Sequence, residues 1–288
     1  MQIESKGFNI SLNVIFVLLA VLTVFPVLLV FSISFTDQSA IAKFGYQLIP
    51  STFSLDAYRY IFSSGMGIGR AYGVTIFATV VGTAISVLVI ALYAYPLSRS
   101  GFLGKGALTF FIFFTMLFSG GLIPFYILIR NVLQLTDSYL VYIAVGATGA
   151  FNIFVVKNYF QGIPAELSES AALDGAGELR IFFSIYLPLS KPIIATVALW
   201  VAVGKWNDYM TGLLYIKSQE KLLIQNILRD MLSKATSTSG IGGDSSMQTL
   251  AESVKMATVV VSIIPIMLIY PFVQKYFTKG VMVGSVKG

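Results

Sequence analysis

Between Glu169 and Pro188 the chain reads ESAALDGAGELRIFFSIYLP, which places Glu169, Asp174, Glu178 and Arg180 within twelve residues. Carboxylates so spaced can ligate a metal, exchange protons with a substrate, or pair with basic groups on a partner surface. The first two chemistries lack their usual companions, because the chain contains no His and no Cys. That absence removes thiol nucleophiles, disulfides, Cys/His zinc sites and imidazole acid–base catalysis together. A phosphate loop of the form G-x-x-x-x-G-K-[ST] is also missing, so the chain has no ATP site of the usual kind. What remains for the charged insert is docking or a plain connection between spans.

Its local pattern supports docking. Pro164 suits the first turn of a helix, where a missing N–H costs nothing, and Glu166 and Glu169 follow where negative charge opposes the positive helix end. Gly175 and Gly177 supply turn chemistry after a helix C-terminus. The pattern predicts a helix over 164–174, about 16 Å long. Ser168, Ser170, Ala171 and Ala172 are small and permit close approach, while Glu166, Glu169 and Leu173 share neighbouring ridges. This makes a knob suited to a groove with charged walls; a plain capped connection between two spans remains the alternative. After the turn, GELRIFFSIYLP restarts as an amphipathic segment and runs to Pro188.

The elements that must carry this insert are apolar. The chain has 288 residues, 56% hydrophobic and 11% charged, where a soluble domain has about 25% charged residues. Six stretches approach the roughly 20 apolar residues needed to span a bilayer: near 9–36, 71–98, 106–129, 138–156, 188–204 and 256–274. The first four and the last lack Asp, Glu, Lys and Arg, while Lys191 lies just inside the fifth. The run from Asn9 to Thr36 exceeds a signal-peptide core and is read as a retained span. The expected class is therefore an all-α membrane protein with six transmembrane helices. It divides into an N-terminal span and outer loop (1–70) and a five-span core (71–288). Within the core lie the short helix at about 164–175 and a Ser/Thr/Gly-rich outer loop at about 205–255.

Lys275, Lys279 and Lys287 near the C-terminus, and Arg99 and Lys105 after the second span, have no acidic neighbours. By the positive-inside rule they place both termini and the Glu169 insert in the cytoplasm. The net charge of +6 is dispersed and suits anionic headgroups rather than nucleic acid. In the third span, FSGGLIPFY contains Gly120, Gly121 and Pro124, which weaken or kink a helix.

The insert resembles the cytoplasmic signature of ABC importer permeases, E-A-A-x-x-x-G-x9-I-x-L-P. Glu169, Ala171, Gly175, Ile185, Leu187 and Pro188 match at the family spacing, with Ser170 in place of the motif's first alanine. ELSESAALDGA, LPLSKP, VGKWNDYMTGLLYI and QKYFTKGVMVGSVKG are similar to the maltose-permease-like carbohydrate branch, and Gly212 resembles the oligosaccharide and polysaccharide sub-branch. These elements cover almost the whole chain.

The resemblance implies a type I importer fold in a bacterial plasma membrane and alternating access in a pore shared with a second homologous permease subunit. It implies two cytoplasmic ATPase subunits that bind ATP and Mg, and an extracellular solute-binding protein that delivers a sugar. Glu166, Glu169, Ser170, Ala171, Ala172, Leu173, Asp174 and Gly175 become the ATPase-coupling helix, and Ile185, Leu187 and Pro188 its joint to the fifth span. This chain then needs no cofactor, carries no catalytic or metal site and is not an enzyme. Tyr126, Asn152, Trp206, Asn207 and Tyr209 are candidates for the substrate path, through aromatic stacking on sugar C–H faces and amide contacts to hydroxyls. For the aromatics, packing or anchoring at the membrane interface is the competing role. Arg59, Arg70 and Arg130 suit either an acidic saccharide or lipid headgroups. A permease for a non-sugar solute is one alternative, and an ion-coupled secondary transporter another, although five of the six spans lack the ionisable residues that coupling requires.

Overall fold

The computed structural model describes residues 6–63, 67–238 and 252–268. Among these no strand forms, and helices account for nearly all regular structure. The first unbroken apolar run becomes α1 (Lys6–Ser34). Two short helices, α2 (Gln38–Phe44) and α3 (Asp56–Ser63), precede a second long one, α4 (Ile68–Ser98). Only α1 and α4 are long and apolar enough to cross a membrane alone, among the described residues. Large side chains on α1 face outward, with Leu18 64% and Leu22 72% exposed, an arrangement stable in lipid or against another subunit but not in water.

The remaining helices are α5 (Lys105–Leu117), α6 (Leu122–Ile127), α7 (Leu140–Ala144), α8 (Ala150–Gln161) and α9 (Ala165–Leu173). They continue with α10 (Glu178–Ile181), α11 (Leu187–Leu189), α12 (Lys191–Trp206), α13 (Met210–Tyr215) and α14 (Ile224–Thr238). The apolar runs after α4 are broken, and each break has a local cause. Between α5 and α6 the axis turns by 113°, at the Gly-Gly pair where Gly121 adopts φ +84°; a left-handed residue cannot continue a right-handed helix. Helix α6 then widens into a π-turn over Leu128–Val132. The run 138–156 is not one helix: Gly146 takes φ +70° and Gly149 is extended before α8.

A second bend, 83°, separates Glu178–Leu189 from α12. Pro188 has no N–H for the Ser184 carbonyl, and the chain opens into a π-turn over Phe182–Tyr186, with the Leu187 N–H reaching the Phe182 carbonyl. Pro192, two residues into α12, likewise gives nothing to Pro188. The span therefore starts after Ser190 rather than at Pro188. If each bent pair is one span, the described helices give up to four; the last apolar run is helical over 252–268 and continues outside the described residues.

By contacts the chain forms two units, Met1–Ile68 with Ile227–Pro265, and Gly69–Asn226 with Ile266–Gly288. In the first, Phe35 stacks between Phe53 and Tyr58, and the Asp37 carboxylate caps α2 by accepting the Ser39 N–H at 2.9 Å. In the second, α4 connects two apolar clusters. Its N-terminal half packs Val74 and Ala78 with Ile129, Val141, Tyr142, Tyr215 and Leu223. Its C-terminal end packs Ile90, Ala94, Tyr95 and Leu97 with Val156, Phe160, Phe182, Tyr186 and Val197.

Between the clusters lies a buried cation. Lys205 is 8% exposed and its ammonium donates to the carbonyls of Tyr142 at 2.8 Å and Val145 at 3.2 Å. These carbonyls end α7 and have no helical donor of their own. Gly82 on α4 makes room for the lysine stem: a Cβ there would lie 2.6 Å from Lys205 Cδ.

Candidate functional site

The charged insert forms α9, with Pro164 standing just before it in an extended cap conformation. Its C-terminus closes as a Schellman motif. The Gly175 N–H donates to the Ala172 carbonyl at 3.0 Å and the Ala176 N–H to the Ala171 carbonyl at 2.9 Å, with Gly175 at φ +81°. That conformation is the one an L-residue resists and glycine accepts. Gly177 is extended instead, so the reversal rests on Gly175 alone.

The helix divides its residues cleanly. Glu166, Glu169, Ser170, Ala172, Asp174 and Gly175 are exposed, and Leu173 is 90% exposed. An apolar side chain so placed is open to contact from outside the chain. Ala171 and Ala176 point the other way, packing on the chain's own core together with Ile185 and Leu187. Pro188 is exposed at the surface of the bend. A shallow groove runs beside α9, bounded by Ala171, Asp174, Ala176, Arg180, Ile181 and Ile185.

An anchor beneath α9 was not recognised in the sequence. Arg99, one residue past α4, donates to the hydroxyls of Ser168 on α9 and Tyr186 at the end of the π-turn. Its guanidinium lies 5.9 Å from both the Tyr95 and the Tyr186 ring centroids and 3.8 Å from the Glu178 carboxylate. Tyr95 donates its own hydroxyl to Glu178, and Lys105 donates to the Arg99 carbonyl at 3.0 Å. Ser168 is 1% exposed and completes its bonding through the Ala165 carbonyl at 2.8 Å. One guanidinium thus ties α4, α9, α10 and the π-turn together. Hydrogen bonds to a charged group contribute about 1.5–3 kcal/mol each, so α9 is fixed to α4 rather than hung on a loop. The sequence offered one signal: an arginine directly after a charge-free span, which also has a plain topological reading.

The substrate-path candidates occupy different settings. Tyr126 is half-buried, stacks on Tyr215 at 5.6 Å and 18°, and accepts a hydrogen bond from Arg130 at 3.0 Å. Asn152 is half-buried on α8. Trp206 is 5% exposed and meets Tyr72 edge to face. Asn207 turns its amide back to the Val203 carbonyl at 2.9 Å. The Tyr209 carbonyl accepts from Asn226 at 2.7 Å, close to Gly212, where any Cβ would meet the Asn226 amide. Trp206 and Asn207 are thus engaged by their own fold, while Tyr126 combines an aromatic stack with a bond from a guanidinium.

On the same unit, Asp137 adopts φ +56° and is held by the N–H groups of Lys217 and Ser218, the Ser218 hydroxyl and the Lys221 ammonium. The Ser218 N–H and hydroxyl, with help from Lys221, hold its carboxyl well below the usual carboxylate range.

Comparison with known proteins identifies the family. The family model for the binding-protein-dependent transport system inner membrane component matches residues 87–283, which include α9 and its anchor. The polygalacturonan/rhamnogalacturonan transport system permease protein YtcP of Bacillus subtilis (strain 168) is 43% identical over 290 residues, spanning 99% of this chain and 100% of that one. Protein LplC of the same organism is also 43% identical, over 93% of this chain and 90% of its own. A solved bacterial ABC transporter involved in import of the acidic polysaccharide alginate contains a chain that superposes with a TM-score of 0.85 at 31% identity, covering 96% of this chain and 100% of that one. The chain belongs to the binding-protein-dependent transport system inner membrane components, the permease subunits of ABC importers, in which ATP hydrolysis resides in a separate subunit.

Proposed function

We propose that this permease imports oligosaccharides derived from acidic polysaccharides, as one half of a pore completed by a second permease subunit. Full-length 43% identity to a permease named for polygalacturonan and rhamnogalacturonan carries the reading, and the alginate importer supports it from a different polymer. Galacturonans and alginate share one chemistry, a sugar ring bearing a carboxylate. An extracellular binding protein delivers the substrate, and two cytoplasmic ATPases supply the energy with ATP and Mg bound on their own chains. Six spans, with both termini in the cytoplasm, bring the Arg99 end of α4 and the α9 knob to the ATPase side.

The mechanism follows from the anchor. Glu166, Glu169 and Leu173 enter the ATPase cleft, and closure of the ATPase dimer displaces α9. Because Arg99 bonds Ser168 and Tyr186, the displacement passes to α4 directly and to α12 through the π-turn and the bend at Ser190. Rigid coupling of this kind converts a movement at the cytoplasmic surface into reorientation of the spans, the alternating access expected of the fold.

Glu169→Lys tests the coupling. The charge lies on an exposed surface, so the variant is expected to insert and assemble normally while uptake and substrate-stimulated ATP hydrolysis collapse. Normal uptake by this variant would remove α9 from the mechanism. Uptake that persists without the ATPase and follows a sodium or proton gradient would overturn the transport class.

A further inference from the structure

Resting on the acidic-saccharide reading, we propose that Tyr126 and Arg130 form a uronate-binding subsite on the translocation path, with the guanidinium pairing the carboxylate and the tyrosine ring lying against the sugar. The placement comes first. Phe118 to Gly121 are non-helical and exposed in this chain, inside a run otherwise apolar enough to span. Irregular backbone at membrane depth is stable only against protein or water, never against lipid. The break therefore faces the partner subunit or the aqueous path, and Tyr126 follows it by little more than one helical turn.

The geometry gives the pair its chemistry. Tyr126 and Arg130 are four residues apart, and the π-turn begins between them at Leu128. Arg130 Nη1 donates to the Tyr126 hydroxyl at 3.0 Å, and the guanidinium carbon is 5.8 Å from the ring centroid. Tyr126 is held from behind by Tyr215, which is 2% exposed and belongs to the apolar cluster around Val141. The ring is thus backed by rigid packing, while Arg130 is exposed. A guanidinium has five N–H donors in a planar fork; one serves Tyr126, and the outer edge matches the two oxygens of a carboxylate. Elsewhere on this unit Arg70 and Lys221 are paired with Glu220 and Asp137. Among the described residues Arg130 is instead oriented by the Tyr126 hydroxyl, which fixes its direction and leaves its outer N–H groups available to an anion.

The test uses the complete importer with its binding protein in proteoliposomes. Uptake of an oligogalacturonide and of an oligomannuronate is compared with uptake of the methyl-esterified form of each, which keeps the ring and removes the charge. Arg130→Gln is expected to lower uptake of the acids about tenfold or more, the size of a lost charged hydrogen bond, and to change uptake of the esters less than twofold. Arg130→Lys recovers only part, because an ammonium cannot form the fork. Tyr126→Phe keeps the ring but releases the guanidinium, giving a smaller loss confined to the acids. Equal losses for acids and esters would make Arg130 a headgroup or packing residue and overturn the subsite, as would unchanged uptake of the acids. Failure of the unmodified importer to take up either acid would overturn the substrate reading itself, and the subsite with it.

Discussion

Gly175 offers the most direct quantitative check on the proposed docking role of α9. Its φ is +81°, and a Cβ built there meets nothing within 4 Å, so within this chain a substitution is opposed by backbone strain and not by collision. An L-residue in the left-handed region costs about 1–2 kcal/mol, and about 1.4 kcal/mol is tenfold in an equilibrium. Gly175→Ala should therefore open the Schellman cap about five- to thirtyfold more often. The amides of Ala176 and residue 175, whose acceptors are the Ala171 and Ala172 carbonyls, should exchange with deuterium faster by that factor. Gly175→Asn should lie near the native protein, because asparagine tolerates this region, and Gly175→Val should be the worst of the series. Substrate-stimulated ATP hydrolysis should follow the same order: Gly, Asn, Ala, Val. Unchanged exchange in the alanine variant would refute the strain argument. An asparagine variant as damaged as valine would show that a partner's close approach, rather than φ, selects glycine here.

Other perturbations separate the remaining contacts. Arg99→Met removes the bonds to Ser168 and Tyr186; thermal unfolding should shift by about 2–4 kcal/mol, within the range for breaking a partly buried charged network, and ATP hydrolysis should lose its dependence on substrate even where the complex survives. Gly82→Ala forces the Lys205 stem to move, a cost of about 1–3 kcal/mol from overpacking. In a double-mutant cycle with Lys205→Ala most of that cost should vanish, and simple additivity would contradict the contact. Asp137 has a folded pKa depressed below its ordinary value by Ser218 and Lys221. Its contribution to stability is therefore fully present above about pH 5 and lost only as pH falls below the usual carboxylate pKa of about 3.9. Thermal unfolding against pH should show that acid slope in the native protein and lose it in Asp137→Asn.

Much of α9 was legible in one dimension. Pro164, the early acids and Gly175 mark a helix by caps and charge placement, which act within a few residues, and the helix forms over Ala165–Leu173. The long charge-free runs likewise gave α1 and α4, because burial in lipid depends on composition more than on partners. The pairing of Gly120 and Gly121 marked the break after α5 for the same local reason.

The rest depended on what meets what across long separations. Nothing near Arg99 in sequence reveals that its guanidinium meets Ser168, 69 residues away, and Tyr186, 87 residues away. Ala171, which looks like its neighbour Ala172, faces the core while Ala172 faces outward, a choice set by the rotation of α9 against α4 and α8. Lys205 reads as the polar end of a span, yet the fold buries it because α7 stops short and leaves two carbonyls that need a donor. Sequence by itself determined the lipid-compatible helices, the capped knob and the family signature, since each depends on local geometry or composition. Tertiary structure decided which residue holds the knob to α4 and which aromatic is backed by rigid packing, because those are properties of contacts that only a completed fold brings together.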